Sequence, residues 1–469
     1  MNTLKNKYNP VLRSVLLSLS FLWIAHTLSA QSNTLYWMQG IPQSTFINPA
    51  IEPLHTTFVG FPLASSIQLG MANSGFSLGD FIRKDQDGSL YYDALNMIDR
   101  MSNKNVLTFD FNFDYLSLGF RYRNNAYFTF YIRERLHSRL GYSRDFARLV
   151  IEGNDVFMQT QTAAVLDGLG LNLMHFREYG FGYSRNLLPD LNVGARFKVL
   201  SGLGNVQSRL VDNSLFTSDN FYEIRFISDI RVRTSMPLLN LLDDDDHSED
   251  FHLANYMLSM KNMGMAIDVG GVYTFDDQYE FAFNINDLGF IRWNSNNRNY
   301  SGKGEFEFTG ISFDEFFSED NNLLENLTDT INDLLDLQES ENVYTTMLSP
   351  RIFASAAYNL TTMHRFSLLS RSEIYHAKLY PSFTLAYNFQ PIRSFGSTLS
   401  YSLIHGRFSS LGLGMHINIW PMQIYVVTDS FLWTMRPQTA QSVNVQLGVN
   451  IDLGARIQES PLPRHRWNQ

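Results

Sequence analysis

Along most of this chain apolar and polar side chains alternate one by one. The stretch Ser442 to Leu453 is the cleanest case. Val443, Val445, Leu447, Val449, Ile451 and Leu453 fall on one face, and Asn444, Gln446, Gly448, Asn450 and Asp452 on the other. Strand side chains point to opposite faces with a period of two, so this stretch predicts a strand with one apolar and one wet face. The pattern recurs upstream. Leu116, Leu118, Phe120 and Tyr122 alternate with Ser117, Gly119, Arg121 and Arg123. Asn124-Asn125 predicts a tight turn. The chain returns with Phe128, Phe130 and Ile132 against Tyr127, Thr129, Tyr131, Arg133 and Arg135. Further hairpins are expected over 176–199, turning at Leu188-Pro189-Asp190, and over 265–288, turning at Asp276-Asp277. Two more strands are expected near 206–217 and 221–233, and from Arg351 onward strands follow each other closely.

The connections are sorted by length. Short turns recur at every second connection (124–125, 188–190, near 219, 276–277, 361–362, 390–394 and 420–421). The long segments 137–170, 235–262 and 294–347 all fall at the others. Bacterial outer-membrane barrels keep short turns on the periplasmic side and long loops outside. A soluble exported sandwich or propeller, the competing reading, has no reason to sort its loops. Alternation over about ten residues also suits a tilted bilayer crossing, where every backbone polar group needs an internal partner and strands must close. The expected fold is all-β: a transmembrane antiparallel β-barrel of roughly 14 to 16 strands with a few short helices. Its last strand should pair with the first, near 57–69, with the aliphatic row toward lipid.

Composition sharpens this picture. Aromatic residues make up 14% of the 469 residues, with 37 Phe and 23 Tyr, which favours strands. A mean hydropathy of −0.16 is too polar for a bundle of membrane helices, but it suits a wall whose two faces average out. With no cysteine there is neither a disulfide framework nor a thiolate metal site. The formal charge of −10, with no basic stripe, excludes nucleic acid as a partner. Lys5, Lys7 and Arg13, the apolar run to Ala25, and Leu28-Ser29-Ala30 read as a signal peptide, residues 1–30. The expected layout is then an N-terminal segment 31–54, a barrel 55–454 carrying an acidic, leucine-spaced helical insertion at 313–341, and a tail 455–469. Trp293, Trp420 and Trp433, near segment ends, are expected in an aromatic girdle.

Candidate chemistry is sparse. There is no metalloprotease, P-loop or nucleophile-elbow pattern, so no enzyme, metal or cofactor is expected. The run Asp243 to Asp246 lacks the spacing and glycine of an EF-hand, and a solvated loop is the simpler reading. Gly202-Leu203-Gly204 reads as a turn or as small lumenal residues, since no helix follows it. The wet faces of the strands place Arg121, Arg123, Arg133, Arg135, Arg196, Glu223, Arg225, Asp229, Arg231, Arg233 and Asp268 in the lumen. Rings of arginine select anions, whereas arginines paired with carboxylates such as Glu134 and Glu178 simply fill an interior; pairing is the preferred reading.

Four stretches carry a family resemblance: Phe46-Ile47-Asn48-Pro49-Ala50; Tyr142 to Phe146 with Glu152-Gly153-Asn154; Ile285 to Trp293; and Tyr425 to Asp429. With these the chain resembles a family of Bacteroidota outer-membrane β-barrels classed as a domain of unknown function. Asn48-Pro49-Ala50 is also similar to an element of FadL-type channels for hydrophobic compounds, and of barrels in type IX secretion and gliding. By that resemblance, residues 31–54 would fold back into the lumen as a hatch. The polar tail after the last strand departs from the usual aromatic end of barrel proteins. The implied function is a passive channel in the outer membrane, in contact with its lipid, for a small hydrophobic or amphipathic compound. The alternative is a non-transporting barrel that docks an envelope protein partner.

Overall fold

The computed structural model describes residues 33–456 apart from 54, 124, 218–223, 238–252, 309–337, 376, 393, 405–406 and 436. The expected signal peptide, Glu223, the run Asp243–Asp246, nearly all of the acidic insertion and most of the tail lie outside the described residues.

Fourteen antiparallel strands close into a cylinder. The first seven are β1 (His55–Gly60 and Ile67–Asn73, one strand interrupted between), β2 (Lys104–Tyr122), β3 (Ala126–Ser143), β4 (Gly170–Leu188), β5 (Leu191–Thr217), β6 (Asn262–Phe275) and β7 (Tyr279–Trp293). They continue as β8 (Tyr344–Met347 and Arg351–Asn359), β9 (His364–Tyr375), β10 (Lys378–Ile392), β11 (Phe395–Ile404), β12 (Arg407–Ile419), β13 (Met422–Thr428) and β14 (Ser442–Arg456). Each pairs with its sequence neighbours, and β14 closes on both parts of β1, with Val59 opposite Ile451 and Gln68 opposite Gln446.

The wall is inside out relative to a water-soluble domain. On β14, Leu447 is 46% exposed and Gln446 3%. Around the cylinder Phe120, Phe181, Phe197, Phe283, Leu368 and Leu399 face outward, while Asp114, Arg196, Asp268, Asn284 and Asn450 are buried within. This is the partition that a hydrocarbon solvent selects: apolar groups outside, and a backbone satisfied by closure. Among the described residues no helix is long and apolar enough to cross a membrane.

Three local expectations change. The strands expected at 206–217 and 221–233 are not two further wall strands. The first is the far half of β5, which runs unbroken for 27 residues. The second, Ile224–Ser235, pairs with that far half and with Asn297–Phe308, beyond the point where β6 begins. The connection near 219 therefore leaves β5 at the long-loop end, and the strand number settles at the lower end of the expected range. Gly202-Leu203-Gly204 is a bulge inside β5, where the register against β4 shifts. Trp293 belongs to no girdle: it is fully buried with Phe176, Leu200, Ile291 and Leu348. A register shift between β6 and β7 turns the end of β7 inward, and Gly202 makes room, since a Cβ there would lie 2.6 Å from the indole.

Candidate functional site

Before β1 the chain folds back inside the cylinder. α1 (Asn33–Tyr36) and a 3-10 turn (Pro42–Phe46) are buried, as are Asn48, Pro49 and Ala50. Asn48 shapes the bend, its Oδ1 accepting from the Ala50 amide at 2.9 Å. The segment lies at the short-turn end, forming a plug. Gly194 and Gly270 let it approach the wall: a Cβ on Gly194 would meet the Pro49 carbonyl oxygen at 2.1 Å, and one on Gly270 the Asn48 Oδ1 at 2.4 Å.

An irregular backbone enclosed by a wall has carbonyls that need donors. Lumenal side chains supply them. Gln423 Nε2 donates to the Gly40 carbonyl at 2.8 Å. Arg196 donates to those of Thr45 (2.5 Å) and Phe46 (3.2 Å). Asn284 and Asn286 both donate to Ile47, at 2.8 and 2.6 Å. Asn192 donates to Ala50 at 2.5 Å. Side chains add anchors at each end. Thr34 donates its amide and hydroxyl to Asp429, just past the end of β13, at 2.7 and 2.6 Å. Burial pushes this carboxyl up to about 6, against the hydrogen bonds from Thr34, which lower it. Gln43 bridges the seam: its Nε2 donates to Asn450 Oδ1 on β14 at 2.7 Å and to the Ser65 carbonyl, in the interruption of β1, at 3.0 Å.

The expected lumenal charges divide into groups. Arg121 holds plug residue Glu52 at 2.6 Å. Arg133 pairs with Asp114, its guanidinium 4.1 Å from the centre of the Phe46 ring. Arg135 meets Glu178 (3.1 Å) and Asp287 (3.2 Å), and Arg196 meets Asp268 at 3.0 Å. Arg123, by contrast, is exposed at the turn after β2, at φ 52°. Arg225, Asp229, Arg231 and Arg233 sit on Ile224–Ser235, past the closed wall, where Arg231 pairs with Asp229 at 3.2 Å. Alternation placed them in the lumen because an extension strand alternates just as a wall strand does. Glu134 lies between the inward-facing Arg133 and Arg135, so it points outward. There it meets Arg177 and His175 at 2.9 and 2.7 Å, and the segment at Leu253–Met257 covers them, with Tyr256 bonded to His175 at 2.7 Å.

The sequence reading missed the most connected carboxylate. Asp287 accepts from Arg135, Lys198 and Arg351. Strict alternation after Asn284 and Asn286 sends position 287 outward. A φ of 62° at a bulge turns it back in, and the charge itself was the only signal.

Beyond the plug, toward the long loops, lies a cavity of about 570 Å³. Ile47 is its contact with the plug. Its lining combines apolar side chains (Met174, Phe176, Leu348, Phe353) with the charged or polar Asp110, His137, Arg135, Asp287, Arg351, Arg371 and Glu373. Among the described residues no cluster of metal-ligating side chains occurs.

A model of the family of unknown function DUF5723 matches residues 49–429, most of the wall together with the Pro49-Ala50 part of the plug. The chain belongs to this family. No curated protein matches the sequence. Among solved structures, a Pseudomonas aeruginosa FadL homologue is 10% identical over 91% of this chain and 99% of that one, at a TM-score of 0.42. The Ralstonia pickettii toluene transporter TbuX is 8% identical over 88% and 92%, at 0.40. The translocator domain of the Neisseria meningitidis autotransporter NalP is 7% identical over 92% and 100%, at 0.33.

Proposed function

We propose that this DUF5723 chain is a plugged channel of the outer membrane. The short-turn end faces the periplasm, and the cavity holds a small hydrophobic or amphipathic compound in passage. One observation carries the reading. Among the described residues the plug shares no strand pairing with the wall, so its hydrogen bonds can release while the cylinder stays closed. The apolar lining of the cavity, with Phe176 and Phe353, suits the apolar part of such a compound. Residues 31–54 act as the hatch, with Asn48, Pro49 and Ala50 at its bend. The outward apolar faces meet outer-membrane lipid.

Deleting residues 31–54 should raise conductance or solute uptake in liposomes. Unchanged conductance and uptake would overturn the channel reading. A second reading is favoured by the far half of β5 and its partner strands, which stand beyond the closed wall. In it the barrel is a docking platform for an envelope protein. A stoichiometric partner that co-purifies, and is lost on removing residues 313–341, supports that reading instead.

A further inference from the structure

The charged lining of the cavity is not evenly paired. Arg351 lies opposite Glu373 in the register between β8 and β9, and Phe353 lies opposite Arg371, so these four residues form one inward patch. Two guanidiniums share the Glu373 carboxylate: Arg139, reaching across from β3, at 2.5 Å, and Arg371 at 3.7 Å. Arg351 in turn shares Asp287 with Arg135 and Lys198. The other carboxylates nearby are engaged elsewhere, Asp110 with His137 and Asp429 with Thr34.

Arg371 is the most weakly paired of the set. It is 6% exposed, yet its polar contacts are the 3.7 Å approach to Glu373 and a 3.5 Å bond to plug residue Asn33, its guanidinium carbon lies 5.9 Å from the centre of the Phe353 ring, and its Nε has no hydrogen-bond partner. Arg351 Nε, and Arg139 Nε and Nη1, are likewise buried without partners. A guanidinium out of water with unmet N–H groups is expensive to hold, and a carboxylate that matches its fork recovers much of that energy.

We propose that Arg371, supported by Arg351 and Arg139, binds the carboxylate of an organic acid whose apolar part lies against Phe176, Leu348 and Phe353. This deepens the channel reading and rests on it only in taking the cavity as the ligand's station. A neutral hydrocarbon leaves these donors as they are, whereas an organic acid pairs them. The incoming carboxylate competes with Glu373 for Arg371.

The test is calorimetric binding of 4-phenylbutyrate and of its neutral amide to the detergent-solubilised full chain. The acid should bind at least about tenfold more tightly than the amide. Arg371→Gln should abolish that preference, and Arg371→Lys should keep most of it. Glu373→Gln should tighten acid binding several-fold, an effect that damage to the fold does not produce. Equal affinities for acid and amide, no binding of either, or a preference that survives Arg371→Gln overturns the proposal. Binding in detergent is independent of passage. A chain that prefers the acid but shows no plug-dependent conductance therefore sinks the channel reading and leaves this site standing.

Discussion

The two halves of the lumen use the same residue types differently. At the short-turn end, wall side chains donate to backbone carbonyls of the plug: Gln423 to Gly40, Asn284 and Asn286 to Ile47, Asn192 to Ala50. Toward the long loops, charged side chains mostly meet one another: Asp287 with its three cations, Glu373 with two. A carbonyl held by a fitted donor fixes one segment in one place. Ion pairs sharing carboxylates leave an arrangement that a new anion can re-pair. The first half is built to hold a defined object, the second to exchange partners.

The largest effect that sharpens this contrast is expected at Arg196, which is 1% exposed and serves both the plug and Asp268. Arg196→Ala leaves the Thr45 and Phe46 carbonyls without their donor and Asp268 with Lys198 as its remaining cation, and should destabilise the protein by about 2–4 kcal/mol in urea unfolding from micelles. Loss of less than about 1 kcal/mol would mean that this half is not held as described. Next, replacing Asn284 and Asn286 together by Ala removes both donors of the Ile47 carbonyl and should weaken plug docking by about 1–3 kcal/mol. The chain has no cysteine, so a single Ser44→Cys reports docking by its rate of thiol labelling. A rate unchanged by the double substitution would show that the plug is held elsewhere.

The smallest effect is expected at Arg351. Its side chain is 28% exposed, and Asp287 keeps Arg135 and Lys198 without it. Arg351→Gln should cost less than about 1 kcal/mol. If it costs as much as Arg196→Ala, the two halves are not built differently.

The cylinder was legible in the sequence because its solvent imposes a rule on every strand. Alternation in Ser442–Leu453, together with the sorting of loops, is sufficient for a closed wall with β14 against β1. What alternation does not encode is where it slips. The bulges at Gly202–Gly204 and at Asp287 change which face the next residues occupy, so Trp293 was assigned to the wrong side and Asp287 to none. Nor does alternation mark where a strand outlives its wall, as β5 does at the level of Ile224–Ser235. Arg139, Arg371 and Glu373 meet because the wall brings β3 and β9 together across the lumen, a three-dimensional fact with no counterpart in spacing along the chain.

Gln43 carries a consequence for how the cylinder is made. The first and last strands can join only once nearly the whole wall exists, and such distant pairings form slowly. Gln43 touches both sides of that join, Asn450 on the last strand and the Ser65 carbonyl within the first. A segment that precedes every strand is thus a clasp on the two edges that meet last, shortening the search by which they find each other. Its removal should therefore slow barrel closure during assembly, before any solute has a lumen to cross.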